Sequence, residues 1–326
     1  MAPNTKKLLV PANMSDAGRA VLAGRGDVQV TVYPPAIAPA DLHALLRDAS
    51  GIALSYTPFR RAELDAAPML EVVARVGVGF DAVEVPALTA RGIPLMIAGT
   101  ANARSVAEHA LYFMFALAKR GAVLHRMVRA GLPHDRKANM PMELSGKTVL
   151  VVGFGRIGTR IAHRCRVLEM AVLVADPYVP AETIRAAGCE PVADLDAALP
   201  RADFITIHCP KTPQTAGMFG AARLARMKPG AFLVNTARGG IVDEAALHAA
   251  LVSGHLGGAG LDVFDPEPPP ATHPLLQLEN VVTSPHMAGV TQEAADAMAV
   301  VACQNLLDVL DGRPQRGNVV NPEVLR

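Results

Sequence analysis

The stretch KTVLVVGFGRIGTRIAHRCRVLEMAVLVAD, residues 147–176, decides the fold. It reads as an apolar strand, a turn with Gly153, Gly155 and Gly158, an amphipathic helix, and a second apolar strand that ends on Asp176. The first glycine permits a tight turn, the second lets a pyrophosphate approach the backbone, and the third lets the helix pack closely on the strand. Free amides at the helix N-terminus then hold the anion. Glycines at a strand-to-helix turn often serve only the turn. Here Asp176 follows at the end of the next strand, where a carboxylate accepts hydrogen bonds from an adenosine ribose. The same charge would repel a 2′-phosphate, and no arginine follows in PYVPAE, so NAD is expected over NADP. The alternative is that Asp176 only caps a strand before Pro177.

Outward from this unit the apolar runs continue through ADFITIHCP, GAFLVNTA, GGAGLDVF and NVVTSPH, as strands covered on both faces must. Before it, KKLLV, VQVTV, GIAL, EVVARV and IPLMI alternate with the helix-like segments SDAGRAVLAG, PADLHALLRDA and VPALTARG. Such alternation means βαβ units and a parallel sheet. A long apolar helix is predicted from about Ser105 to Lys119, with Asn102 or Ser105 as its N-cap, and a last helix over about 292–310. We therefore expect an α/β protein with two doubly wound parallel-sheet domains. A Rossmann NAD-binding domain, residues 101–290, is inserted into a flavodoxin-like substrate domain made of residues 1–100 and 291–326.

Composition bounds the remaining classes. The chain has 326 residues, enough for two cores, with 51% hydrophobic and 19% charged residues. Its 31 basic and 30 acidic side chains give a net charge of +1 and no electrostatic reason to expect nucleic acid or an anionic membrane as partner. Cys165, Cys189, Cys209 and Cys303 are scattered, without metal or disulfide spacing, and read as reduced thiols. The apolar run near the start breaks at Pro11, too early for a signal peptide, and AEHALYFMFALAKR is too short to span a bilayer. A cytoplasmic location is expected, and no metal site, since no H-E-x-x-H or paired cysteines occur.

Three polar groups follow later strand ends: Arg238 after AFLVNTA, Glu267 after GAGLDVFDP, and His286 after NVVTSP. Ligands of open α/β sheets bind outside the carboxyl ends of the strands, so these groups can converge. The planar fork of Arg238 suits a substrate carboxylate and a polarised carbonyl. His286 can deliver or take a proton near neutral pH, with Glu267 orienting its ring and favouring the imidazolium. Rival readings stand beside these. Arg238 between a strand and Gly239 is also a plain loop arginine, Glu267 between two prolines a turn carboxylate, and His208 a second histidine at a strand end. Asp262 is a strand carboxylate that needs a partner, at the nicotinamide or in an ion pair. His134 and Arg136 fall in the loop before the glycine turn and could shape a pocket.

RVGVGFD (75–81), NARSVAEHAL (102–111), GFGRIG (153–158), TARGGIVDEAAL (236–247), LDVFDPEPPP (261–270) and SPHMAG (284–289) together resemble the D-isomer-specific 2-hydroxyacid dehydrogenases. Within that family the sequence is most similar to phosphoglycerate-dehydrogenase-like and glyoxylate or hydroxypyruvate reductase-like members. The resemblance implies an NAD-dependent enzyme that moves a hydride at C2 of a small D-2-hydroxy acid or 2-keto acid. Arg238, Glu267 and His286 are then the catalytic three. It also implies that Val78, Gly79, Arg238 and His286 contact substrate. The glycines 153, 155 and 158, with Val78, Arg156, Ile157, Asp176, His208, Cys209, Pro210, Thr236, Ala237, Arg238, Asp262, His286 and Gly289, would meet the cofactor.

A formate dehydrogenase is disfavoured, because that relative carries Gln where Glu267 stands. The chain ends at Arg326, where longer phosphoglycerate dehydrogenases carry a regulatory domain, so serine-type control is not expected. A homodimer through the helix near Ser105 is. The alternative from another class is an NAD(H)-sensing binding protein of the co-repressor kind on the same fold.

Overall fold

The computed structural model describes residues 5–132, 137 and 140–325, so His134 and Arg136 lie outside the described residues. The chain divides into two compact units, residues 1–102 with 290–326, and residues 103–289.

The first unit opens with β1 (Lys6–Pro11), α1 (Asp16–Ala23), β2 (Val28–Tyr33), α2 (Pro39–Leu46), β3 (Gly51–Leu54), α3 (Arg61–Asp65), β4 (Val72–Arg75), α4 (Val85–Ala90) and β5 (Leu95–Met96). Its strands pair in the order β2-β1-β3-β4-β5, all parallel. That is the flavodoxin-like arrangement. Central strands are apolar throughout because helices cover both faces, and Leu8, Leu9 and Val10 of β1 are fully buried. At the edge, β2 leaves Val30 and Val32 exposed. Ser15 caps α1, its side chain accepting from the amide of Ala17.

The second unit contains α5 (Ala103–Ala118), α6 (Gly121–Arg129), β6 (Thr148–Val152), α7 (Gly158–Val167), β7 (Ala171–Ala175), α8 (Ala181–Ala186), β8 (Glu190–Pro191), α9 (Leu195–Ala198) and β9 (Phe204–Ile207). It continues with α10 (Ala221–Arg226), β10 (Phe232–Asn235), α11 (Glu244–Val252), β11 (Gly258–Leu261) and β12 (Val281–Thr283). The strand order is β12-β11-β10-β9-β6-β7-β8, again all parallel. Read from β8, this is the Rossmann order with a seventh strand, and the direction of winding reverses between β6 and β9. α12 (Gln292–Leu310), capped by Thr291, then returns the chain to the first unit. There Gly18 of α1 lets the two helices meet, since a Cβ on it would stand 2.8 Å from the Cβ of Ala299.

The protein is thus an α/β protein of two doubly wound parallel units, the Rossmann one inserted into the flavodoxin-like one. The long helix begins at Ala103, directly after Asn102. Several elements, β8 and α6 among them, have no counterpart in the sequence reading. β8 is two residues long, too short for any periodicity. α6 buries none of its residues, so no core-facing stripe marks it.

Candidate active site

The glycine turn joins β6 to α7 at the point where the winding reverses. Gly153 has φ of 95°, and a Cβ there would meet the backbone of His208 and Cys209 at 2.8 Å. A Cβ on Gly158 would stand 1.9 Å from the carbonyl oxygen of Gly153, so the helix reaches the strand only because that residue lacks a side chain. Beside Gly155 a Cβ would meet nothing within 4 Å, which leaves the backbone open to a ligand. Asp176 directly follows β7. Its Oδ2 accepts from the amide of Phe154 at 2.7 Å and its Oδ1 from that of Tyr178 at 2.9 Å. A carboxylate offers about four acceptor sites, so two remain for ribose hydroxyls. Turn, open backbone and carboxylate fit an adenine dinucleotide. Arg156 is exposed on the turn and Ile157 starts the helix.

His208 closes β9 against this turn. Its Nε2 shares a 2.8 Å hydrogen bond with the Thr206 hydroxyl, and its Nδ1 is buried with no partner among the described residues. Burial pushes its pKa down to about 3, so the ring is neutral at neutral pH and cannot serve there as a stored proton. Cys209 follows it, its thiol pushed up to about 11 by burial, and Pro210 is exposed next in line.

Beyond β10, β11 and β12 lie the other three groups. Buried Asn235 ends β10 and shapes the turn, its side chain accepting from the amide of Ala237 at 3.0 Å and donating to the carbonyl of Arg238 at 2.9 Å. Thr236 is buried, its hydroxyl without a partner among the described residues. Arg238 donates to the carbonyl of Ala237 at 2.7 Å. The next turn carries Glu267, and after β12 comes His286. The imidazole Nδ1 of His286 and Oε1 of Glu267 are 2.7 Å apart. This pair is partly solvent-exposed, so it orients a ring more than it stabilises a fold.

Asp262, 1% exposed, sits just past β11 and organises the His286 loop. Its carboxylate accepts from the Ser284 hydroxyl and from the amides of Met287 at 2.8 Å and Ala288 at 2.9 Å, while its carbonyl accepts from the amide of His286 at 2.8 Å. The partner that a buried carboxylate requires is therefore largely backbone. Gly289 ends the same loop. A similar grip holds the Glu267 turn. Glu244 accepts from the amide of Asp265 at 2.9 Å and pairs with His273 at 2.9 Å, and Lys211 pairs with Asp265 at 2.7 Å. Asn235, Ser284, Glu244 and His273 are supporting residues that the sequence reading did not single out.

Val78 and Gly79 belong to the first unit, in the turn after β4, where Arg75 donates to the carbonyl of Gly79 at 2.8 Å and to that of Leu54 at 3.0 Å. Among the described residues no group of three or more His, Cys, Asp or Glu gathers as metal ligands, and the four cysteines are free. No helix of the described residues is long and apolar enough to cross a membrane.

Comparison with known proteins identifies the family. The family model described as D-isomer specific 2-hydroxyacid dehydrogenase, NAD binding domain, matches residues 111–288. The chain is 41% identical over 261 residues to a D-3-phosphoglycerate dehydrogenase of Archaeoglobus fulgidus, an alignment covering 80% of this chain and 49% of that protein. It spans about half the length of such curated relatives. A solved protein from Thermus thermophilus superposes with a TM-score of 0.85 at 33% identity, over 96% of this chain and 99% of that one. A glyoxylate reductase from Paecilomyes thermophila does so with a TM-score of 0.87 at 26% identity, over 98% and 99%. With more than half of its length inside that family model, the chain belongs to the D-isomer specific 2-hydroxyacid dehydrogenase family.

Proposed function

We propose that this protein is an NAD-dependent dehydrogenase that interconverts a small D-2-hydroxy acid and its 2-keto acid. The observation that carries the reading is the 2.7 Å contact between His286 and Glu267, built on two strand ends of the sheet that also carries the glycine turn and Asp176. The cofactor, when bound, supplies or accepts the hydride. Asp176 holds the adenosine ribose, and the amides at the start of α7 face the pyrophosphate. Glu267 fixes the His286 tautomer by accepting from Nδ1, which turns Nε2 toward the substrate oxygen. In reduction Nε2–H donates a proton to the carbonyl oxygen, and in oxidation Nε2 takes it back. Arg238 supplies a permanent cation for the substrate carboxylate and the polarised oxygen. The amides near Val78 and Gly79 are assigned to the carboxylate, and the NAD contacts of Val78, Thr236, Ala237, Asp262 and Gly289 are part of the same reading. The test is NADH oxidation over keto acids of graded size and charge, from glyoxylate through hydroxypyruvate to 3-phosphohydroxypyruvate. NADH binding without turnover of any of them would favour a sensor and overturn the enzyme.

The preference for NAD rests on Asp176. In Asp176→Ala we expect KM for NADH to rise about tenfold, as two charge-assisted hydrogen bonds are lost, and the NADH over NADPH ratio to fall by more. Steady-state kinetics with both cofactors checks this, and an unchanged ratio would remove the residue from the ribose site.

The reading includes a homodimer formed through α5, extended here to the neighbouring α6, and a cytoplasmic location in keeping with four free thiols. Tyr112 and Phe115 are exposed on α5, while Val128 on α6 and Leu132 beyond it are 69% and 49% exposed. Exposed apolar side chains on these two helices suit such an interface. Light scattering at micromolar concentration should give the mass of two chains, and Val128→Asp should shift it toward one. A monomeric wild type would remove the claim.

A further inference from the structure

The loop that presents His286 has a backbone that needs an explanation. His286 has φ of 56°, a left-handed conformation that a non-glycine residue keeps only where its surroundings over-determine it. Here three successive amides, of His286, Met287 and Ala288, all donate to Asp262, the first to its carbonyl and the other two to its carboxylate. The direction of that carboxylate therefore fixes the strained turn.

Its remaining contact is the Ser284 hydroxyl, and the line does not stop there. Nε2 of His109, on α5, lies 2.8 Å from Ser284 Oγ although the two are 175 residues apart in the chain. A serine hydroxyl has one proton, and an ionised carboxylate can only accept. Ser284 must then donate to Asp262 and accept from His109, which fixes the His109 tautomer with its proton on Nε2. The ring is held in place as well, edge-on to Phe113 at 4.6 Å and to Tyr112 at 5.5 Å between centroids. Burial lowers the His109 pKa, which keeps the ring neutral.

We propose that His109 and Ser284 are positioning residues for proton transfer: the Nε2–H of His109 commits the Ser284 proton to Asp262, whose carboxylate then holds the left-handed turn that aims His286 at Glu267. This rests on the dehydrogenase reading for its kinetic consequence, though not for its geometry. Neither residue hydrogen-bonds the imidazole of His286, whose Nδ1 is paired with Glu267. Their effect passes through the backbone amides.

The test compares His109→Leu and Ser284→Ala, which break the line, with His109→Gln and Ser284→Thr, which keep a donor at similar reach and a hydroxyl. We expect the first two to lower kcat by about 10- to 100-fold, as a misplaced catalytic group does, with the Kd for NADH within about twofold. Amide hydrogen exchange at Met287 and Ala288 should quicken in the same two variants. The conservative pair should recover most of kcat and the slow exchange. Wild-type kcat and exchange in His109→Leu would overturn the inference, and so would a His109→Gln variant as impaired as His109→Leu. If the wild type reduces no keto acid, the functional reading fails while amide exchange still decides the positioning line.

Discussion

His286→Ala is expected to lower kcat for keto-acid reduction by about 10²- to 10⁴-fold, the range contributed by a positioned general acid. NADH affinity should stay within about twofold, because the glycine turn and Asp176 lie on β6 and β7, with β9, β10 and β11 between them and β12 in the sheet order. Loss confined to kcat is the signature of a group that acts in the transition state. Glu267→Gln should fall between this variant and the wild type. The amide still offers an oxygen to Nδ1–H but no longer a charge-assisted hydrogen bond, so orientation survives while the contact that holds the ring weakens. Stopped-flow NADH oxidation with a saturating keto acid, together with fluorescence titration of NADH binding, reads both quantities. An alanine variant that retained wild-type kcat would remove His286 from proton transfer.

The parts of this site that were legible in the sequence are the ones in which each signal is local. The apolar runs of β6, β7, β9 and β10 are buried on both faces, and a strand of that kind needs no long-range information to be recognised. The three glycines and Asp176 lie within one strand–helix–strand unit. Arg238, Glu267 and His286 could be grouped because each follows a strand end, and strand ends of a parallel sheet point the same way. The supports of those groups are of another kind. Asn235 looks like one more polar residue after an apolar run until its side chain is seen to close the turn on Arg238. His109 lies on a helix otherwise read as apolar, and its partner stands on the far side of the NAD-binding sequence. Glu244 and His273 meet across 29 positions of chain that give no periodic hint of the pairing. Side-chain contacts across such separations are products of the tertiary fold, and one sequence holds no trace of them.

Gly239 is the most instructive case of the same kind, because in the sequence it is only the residue that follows Arg238. In the structure it is a point of contact between two backbones. A Cβ on it would stand 1.9 Å from the carbonyl oxygen of Phe264, 2.3 Å from its carbon and 2.9 Å from the amide nitrogen of Asp265. None of these atoms can turn away as a flexible side chain would. In Gly239→Ala the turn that carries Arg238 must therefore separate from the turn that carries Glu267 by an ångström or more. Forcing a methyl into a closed contact costs about 1–3 kcal/mol of stability. A shift of about 1 Å at a catalytic group is enough to cost on the order of 10²-fold in rate. We expect kcat to fall by about that factor and the urea midpoint to drop, while the Kd for NADH changes by no more than about threefold, since Gly153, Gly158 and Asp176 are untouched. Full activity in this variant would mean that the Arg238 and Glu267 turns can part without consequence, and that the closeness of the two backbones has no part in catalysis.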